Sequence, residues 1–389
     1  MSWVNTTLGE ISANIQTGPF GSQLHQSDYS DEGTPVVMPK DLVNGQISEV
    51  SIARVSEDHV NRLSRHKVEV GDILYSRRGD VGRCAFATDI EQGWLCGTGC
   101  LRVTIDRSKA IPKFVFYQLQ KAETVGWVEK HAVGATMLNL NTSILSSVPI
   151  EIPSLAEQQI IVDILLAYDE LIENNQKQIK LLEEAAQRLY KEWFVDFRFP
   201  GYENTPIADG VPQGWKQESI DNVYSIKYGK NLPTTEISTN GKYPVYGANG
   251  VIGYYDKYNC DAYVTLVTSR GNGSGDVSRT HHSNSFVTNN SFIVIPQQAY
   301  NFISNEFTYW LMKHTDFKSI CTGSAQPQLT NNSISTLKVL VPTKKLILYF
   351  CEITRTYFEN IERLLKQNRF LTEARDRLLP KLMSGELEV

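Results

Sequence analysis

The strongest constraint in this chain of 389 residues is that part of it is written twice. An offset of 189 positions lays the stretch from Gly134 to Leu189 on Gly323 to Leu378 without a gap. Gly134 meets Gly323, Leu140 meets Leu329, Ser146 meets Ser335 and Pro153 meets Pro342. Further on, Ile164, Tyr168, Glu170, Ile172 and Gln178 meet Ile353, Tyr357, Glu359, Ile361 and Gln367. Repetition at a fixed offset governs architecture before any local signal does. This period is too long for a solenoid unit and fits two whole domains, each followed by the same kind of helix. Upstream the match is weaker: Trp3, Gly18, Pro35, Arg78-Gly79 and Tyr117 answer Trp215, Gly229, Pro244, Arg270-Gly271 and Tyr309. The globular parts have diverged while their helical tails have not, which points to variable work in the former and shared work in the latter.

The first globular part reads as mixed α/β. Asn44-Gly45 is a hairpin turn signal, Val70 to Ser76 a strand, Pro112 to Gln120 a short helix and Val148 to Ile152 a last strand. From Leu155 to about Phe194 the apolar residues advance by threes and fours, through Ile161, Ile164, Tyr168, Leu171, Asn175, Gln178, Leu182, Ala185 and Leu189. That is the seam of a long coiled-coil helix. Pro200, Gly201, Gly210, Pro212 and Gly214 punctuate a linker. The second globular part, with strand-like runs at Tyr263 to Thr268 and Ser291 to Ile295, leads into a second long helix. Its seam is Phe350, Ile353, Tyr357, Asn360, Leu364, Gln367, Leu371, Ala374 and Leu378.

Between 155 and 193 eight acidic residues stand against four basic ones, and between 345 and 383 eight basic residues stand against five acidic ones. Two apolar-seamed helices of opposite charge pair with each other, and polar seam residues such as Asn175, Gln178, Asn360 and Gln367 can set the register. The competing arrangement packs each helix on its own globular part. An antiparallel pair of helices about 30 residues long spans roughly 45 Å. It would hold two similar heads at opposite ends, about an approximate two-fold axis. Successive major-groove faces of DNA lie about 34 Å apart.

Composition excludes more than it selects. The start, MSWVNTTLGE, has no basic region followed by an apolar run, and no stretch is long and apolar enough to span a bilayer. Six cysteines in this length do not make a disulfide framework, and Cys96 and Cys100 lack a nearby second pair or histidine for zinc. This is the pattern of reduced thiols in the cytoplasm. The net charge of −5 does not decide against nucleic acid, because binding depends on where cations cluster. There is no GxxxxGK[ST], GxSxG or HExxH, and no Asn-Pro-Pro or Asp-Pro-Pro tetrapeptide of the adenine methyltransferase kind. The glycines of Arg270-Gly271-Asn272-Gly273-Ser274-Gly275 lie in a polar loop, and His281-His282 reads as surface. No cofactor, metal or catalytic residue is assigned.

What remains suits recognition. Arg77 and Arg78 follow a predicted strand with Arg83 close behind, and Ser269, Arg270 and Asn272 hold the equivalent place in the second part. Arginine on a tight loop grips phosphate or reads guanine, though an Arg–Asp pair holding the loop is the plainer use. The second paired motif contains Thr136, Asn139 and Asn141 against Gln326, Gln328 and Thr330. Amides suit adenine edges and hydroxyls reach phosphates, while Leu140 and Leu329 plug the core. These twelve residues are the candidate DNA-binding set.

The chain resembles a specificity subunit of a type I DNA restriction–modification system over essentially its whole length. The resemblance is carried by Leu189-Tyr190-Lys191-Glu192-Trp193-Phe194-Val195-Asp196-Phe197 and by Arg375-Asp376-Arg377-Leu378-Leu379-Pro380-Lys381-Leu382-Met383-Ser384-Gly385-Glu386. Thr17-Gly18-Pro19-Phe20-Gly21-Ser22 and Ala325-Gln326-Pro327-Gln328-Leu329 also resemble recurring pieces of that family. The resemblance implies an α+β fold in which two target recognition domains, 1–152 and 201–342, are separated by antiparallel coiled-coil spacer helices, 153–200 and 343–389. It implies that each domain reads half of a split, asymmetric site in double-stranded DNA. It further implies that the helices dock two methyltransferase subunits, which bind S-adenosylmethionine, and that translocating restriction subunits join them. The alternative is a coiled-coil adaptor that binds protein and reads no DNA.

Overall fold

The computed structural model describes residues 3–134, 137–323 and 326–387. The chain divides into two compact units, Met1–Ile172 with Phe370–Val389 and, separately, Glu173–Arg369. Each unit is therefore a globular head plus part of both long helices.

In the first unit, β1 (Val4–Thr7) pairs antiparallel with the strand that closes the head, Pro149–Ile152. The central sheet is antiparallel, with β2 (Ser12–Thr17) beside Cys100–Ile105, then β3 (Ile73–Ser76), then β4 (Cys84–Phe86). We label Cys100–Ile105 β5 and Pro149–Ile152 β6. Side chains of a strand alternate between faces. Ile73, Tyr75, Leu101 and Val103 enter one core with the helix α1 (Pro112–Leu119), and Leu74 and Cys100 enter another with Val37, Leu42 and Cys96. Both faces are covered, which is why β3 reads as an unbroken apolar run. β3 starts at Ile73, not at Val70, because Val70 and Gly71 form the turn, with Gly71 at φ +93°. Asn44 and Gly45 both take positive φ and join a two-residue hairpin, as the dipeptide predicts.

The second unit repeats this plan. β7 (Lys216–Ser219) pairs with the closing strand Lys338–Val341. β8 (Tyr224–Tyr228), Ser291–Pro296, β9 (Thr265–Thr268) and β10 (Val277–Arg279) form the same antiparallel order. Ser291–Pro296 is β11 and Lys338–Val341 is β12. Val267 and Phe292 face one core, Leu266 and Ile293 the other. Leu266 thus takes the face of its repeat partner Leu74.

The long helices are α2 (Leu155–Tyr190), continued by a π-turn over Lys191–Val195, and α3 (Lys344–Met383). Ser154 and Glu157 close a capping box on α2. The seam expected from sequence is half right. Ile161, Tyr168, Asn175, Leu182 and Leu189 face inward, but Leu171, Gln178 and Ala185 are exposed. The other row is Leu165, Ile172, Ile179, Ala186 and Trp193, displaced by one residue from the expected row. In α3 the inward rows are Phe350, Tyr357, Leu364, Leu371 and Leu378 with Ile347, Thr354, Ile361, Asn368, Arg375 and Leu382, while Gln367 is exposed. In α3 the expected row is only partly displaced, since Ile353, Asn360 and Ala374 remain half-buried. The error has a simple cause: Ile164-Leu165 and Leu171-Ile172 are apolar pairs, so hydrophobicity alone could not choose between rows. α3 also runs through Pro380. Proline costs a helix hydrogen bond, but Leu382 and Met383 are fully buried in the first core and hold the last turn.

Within each unit the helix segments are antiparallel and part of the core. In the first, Ile161, Val162 and Leu165 share a cluster with Leu382 and Met383. Arg375 Nη1 donates to Asp169 Oδ1 at 2.7 Å, and the Tyr117 hydroxyl donates to the other carboxylate oxygen at 2.6 Å. In the second, Asn175 Nδ2 donates to Asn368 Oδ1 at 2.8 Å. Tyr190, Trp193, Phe194 and Phe307 surround Phe350 with ring centroids 5.2–6.1 Å away. The helices therefore pair with each other and also pack on the heads, so the two arrangements weighed from sequence coexist.

Truncation of fully buried Phe350 to alanine removes the ring shared by both helices and the second head. We expect Phe350→Ala to destabilise this unit by about 3–5 kcal/mol, read as a lower urea midpoint. A pH dependence follows from His66, which is buried beside Arg65 and Arg102. Burial first, then those cations, pushes its pKa from 6.5 down to about 4. Between those values the unfolded state holds more protons than the folded one, so stability rises with pH across this window. The contribution is complete above about 6.5 and is lost as pH falls toward about 4. A His66→Gln variant should flatten that part of the urea-midpoint profile.

Candidate nucleic-acid interface

The antiparallel order of each central sheet brings three strand ends to one edge. In the first head these are the C-terminal end of β2, the N-terminal end of β5 and the C-terminal end of β3. Loops leaving one sheet edge are where a rigid scaffold presents binding groups. Gly18 N–H donates to the Cys100 carbonyl at 2.9 Å, and Arg77 N–H to the Gly99 carbonyl at 2.8 Å. A fourth segment joins through Gly79 N–H to the Leu138 carbonyl at 3.1 Å and Leu140 N–H to the Arg77 carbonyl at 2.8 Å. The two motifs singled out in sequence, about sixty residues apart, are thus zipped together.

The second head makes the same bonds with different residues. Gly229 donates to Ser291 at 3.0 Å, Ser269 to Asn290 at 2.8 Å, Gly271 to Pro327 at 3.0 Å and Leu329 to Ser269 at 2.9 Å. Leu140 and Leu329 are fully buried, as expected of plugs. Glycine is required at Gly134 and Gly323, at φ +128° and +94°. A Cβ there would lie 2.2 Å from the Met137 carbonyl oxygen and 2.7 Å from that of Gln326.

Side chains of the candidate set fall into three groups. Arg78, Arg270, Asn272 and Gln326 are exposed on the loop cluster. Arg77, Asn139 and Gln328 are half-buried, and Arg77 Nε and Asn139 Oδ1 are buried atoms with no hydrogen-bond partner among the described residues. The remaining described candidates have other work. Arg83 grips Asp80 through Nε at 3.1 Å and Nη2 at 2.7 Å, the Arg–Asp use weighed above. Asn141 caps the helix Thr142–Ser146 by accepting from Ile144 N–H at 2.8 Å, and Thr330 caps Asn331–Ile334 by accepting from Ser333 N–H at 3.2 Å. Ser269 is fully buried and its hydroxyl donates to the Asn289 carbonyl at 3.2 Å. Thr136 lies outside the described residues.

Sequence reasoning passed over the segment at the middle of each cluster, Gly97-Thr98-Gly99 and Thr288-Asn289-Asn290. Asn290 is exposed, and Lys230 and Asn231 beside it are exposed as well. The available signal was weak: a small-residue or Asn-Asn pause between two strand-like runs.

A family model described as the type I restriction modification DNA specificity domain matches residues 2–184 and 212–349. A specificity subunit of the type I restriction enzyme MjaIX from Methanocaldococcus jannaschii is 26% identical, over 93% of this chain and 88% of that one. The HindI specificity subunit from Haemophilus influenzae is 24% identical, over 99% of each. The crystal structure of a type I restriction-modification system S subunit from M. genitalium superposes with a TM-score of 0.59 at 19% identity. The match covers 98% of this chain and 96% of that one, a likeness of fold.

The zipped loops make a local prediction. Gly134→Ala should speed amide exchange at Asn139, Leu140 and Gly79, because the clash breaks the bonds that protect them. Exchange at Val103 in the sheet should stay as slow as in the unsubstituted protein.

Proposed function

This chain belongs to the type I restriction–modification DNA specificity family, and from that premise we propose that it reads a bipartite, asymmetric target in double-stranded DNA. In this reading 1–152 and 201–342 are the two target recognition domains, and 153–200 and 343–389 are the spacer helices. Each head reads one half-site through its loop cluster, with Arg77, Arg78, Asn139, Arg270, Asn272, Gln326 and Gln328 at the surface toward DNA. The observation that carries this is the twin loop clusters: one hydrogen-bond scheme, built twice at the edges of two similar sheets, with different side chains on each. A reader of an asymmetric site needs such a pair, because position must be shared and base choice must differ.

The chain itself is the non-catalytic reader. Two methyltransferase subunits, which supply S-adenosylmethionine chemistry on adenine, dock on the helices, and translocating restriction subunits join that core in the cytoplasm. The helices act as the ruler between half-sites. No helix among the described residues is long and apolar enough to cross a membrane. The adaptor reading gives no reason for two divergent loop clusters on a common frame.

The test is long-read detection of N6-methyladenine in cells carrying this chain with its methyltransferase, against cells lacking only this chain. We expect a split, asymmetric motif to lose methylation when the chain is absent. Unchanged methylation in an active system would favour the adaptor.

A further inference from the structure

When the two heads are matched through their shared hydrogen bonds, the loop cluster separates into a constant part and a variable part. Arg78 and Arg270 are constant: both are exposed and both precede a left-handed glycine, Gly79 at φ +75° and Gly271 at φ +87°. Three places on the cluster are variable. Two residues beyond the matched Gly18 and Gly229 stand Phe20 and Asn231. The carbonyl that receives Arg77 N–H or Ser269 N–H belongs to Gly99 in one head and Asn290 in the other. One residue before the carbonyl that receives the glycine N–H stand Met137 and Gln326.

The chemistry at these places differs in one direction. The second head has three exposed carboxamides, Asn231, Asn290 and Gln326. The first has two exposed apolar side chains, Phe20 at 52% and Met137 at 63%, and a glycine. A carboxamide pairs bidentately with N6 and N7 of adenine, and an apolar side chain meets the methyl group of thymine. A guanidinium repeated at one place in two heads cannot be what makes their sequences differ. Phosphate contacts set position and carry no direct sequence information.

Resting on the DNA-reading function proposed above, we infer that Arg78 and Arg270 seat each head on the phosphate backbone while the variable places choose the bases. Asn231, Asn290 and Gln326 read adenine edges in the second half-site. Phe20 and Met137 select thymine methyl groups in the first.

The experiment uses the full chain assembled with its methyltransferase subunits. The methylated motif is mapped by long-read sequencing for Gln326→Ala, Met137→Ala and Arg270→Ala, and purified complexes are titrated on target DNA against salt. Gln326→Ala should relax one adenine position in one half-site by about 10- to 100-fold, the worth of one bidentate pair, with the other half-site unchanged. Met137→Ala should relax the opposite half-site at a thymine. Arg270→Ala should leave the motif intact, weaken binding to all sequences and lower the log–log salt slope by about 0.9. The untouched half-site serves as the control for folding, and Gln326→Asn, which keeps the amide, should retain the adenine preference in part. A motif altered by Arg270→Ala, or a motif unaltered by Gln326→Ala with uniformly weaker binding, overturns the inference. If the unsubstituted chain directs no motif, the DNA-reading function itself fails, and that result is distinct from a motif whose half-sites are read by other residues.

Discussion

The interaction on which the rest depends is the packing of two heptad rows on each long helix, because the same rows build the cores of the heads. Ile161, Leu165, Leu382 and Met383 are core residues of the first unit, and Tyr190, Trp193, Ile347 and Phe350 of the second. A change in any of these disturbs helix pairing and head together. The core residues themselves differ across the repeat, Ile161 against Phe350 and Leu165 against Thr354, so each unit meets that double duty with its own side chains. In this arrangement the loop surface can vary without cost to the frame.

Polar groups interrupt the apolar rows at a few places, and these differ between the units. In the first, Asp169 takes Arg375 from the opposing helix and the hydroxyl of Tyr117 from the head. At the equivalent place in the second unit Phe358 replaces Asp169, and buried Arg279 lies over its ring at 4.2 Å, with Glu183 3.8 Å away. A helix–helix charge pair in the first unit is answered in the second by a cation–π contact whose arginine comes from a strand of the head. Asn175 and Asn368 add a mutual amide bond that an apolar residue at either place would leave unsatisfied. Such groups fix register at some cost in stability. They tell two related helices how to pair.

Much of this was legible in sequence because it rests on periodicity and backbone chemistry. The doubled pattern, the hairpin at Asn44-Gly45, the helix from Pro112 and the buried plugs Leu140 and Leu329 all follow from residue type and spacing. The choice between Ile164 and Leu165 did not, since both are apolar and only the partner surface decides which is buried. Nor did the fate of Ser269, Asn141 and Thr330. A hydroxyl or amide in a polar loop is equally fit to reach outward, to cap a helix or to bond a buried carbonyl, and the neighbours that settle this lie far away in the chain.

The sequence by itself determined that there are two related heads, two paired helices and a pair of glycine-led loops, because each of these is a pattern that recurs at fixed separation. Tertiary structure alone decided that the arginine loop and the amide loop of each head meet at one sheet edge beside Gly99 or Asn290. Strand order sets that meeting, and strand order is a matter of long-range pairing. No local run of residues encodes which distant strand will lie next to it.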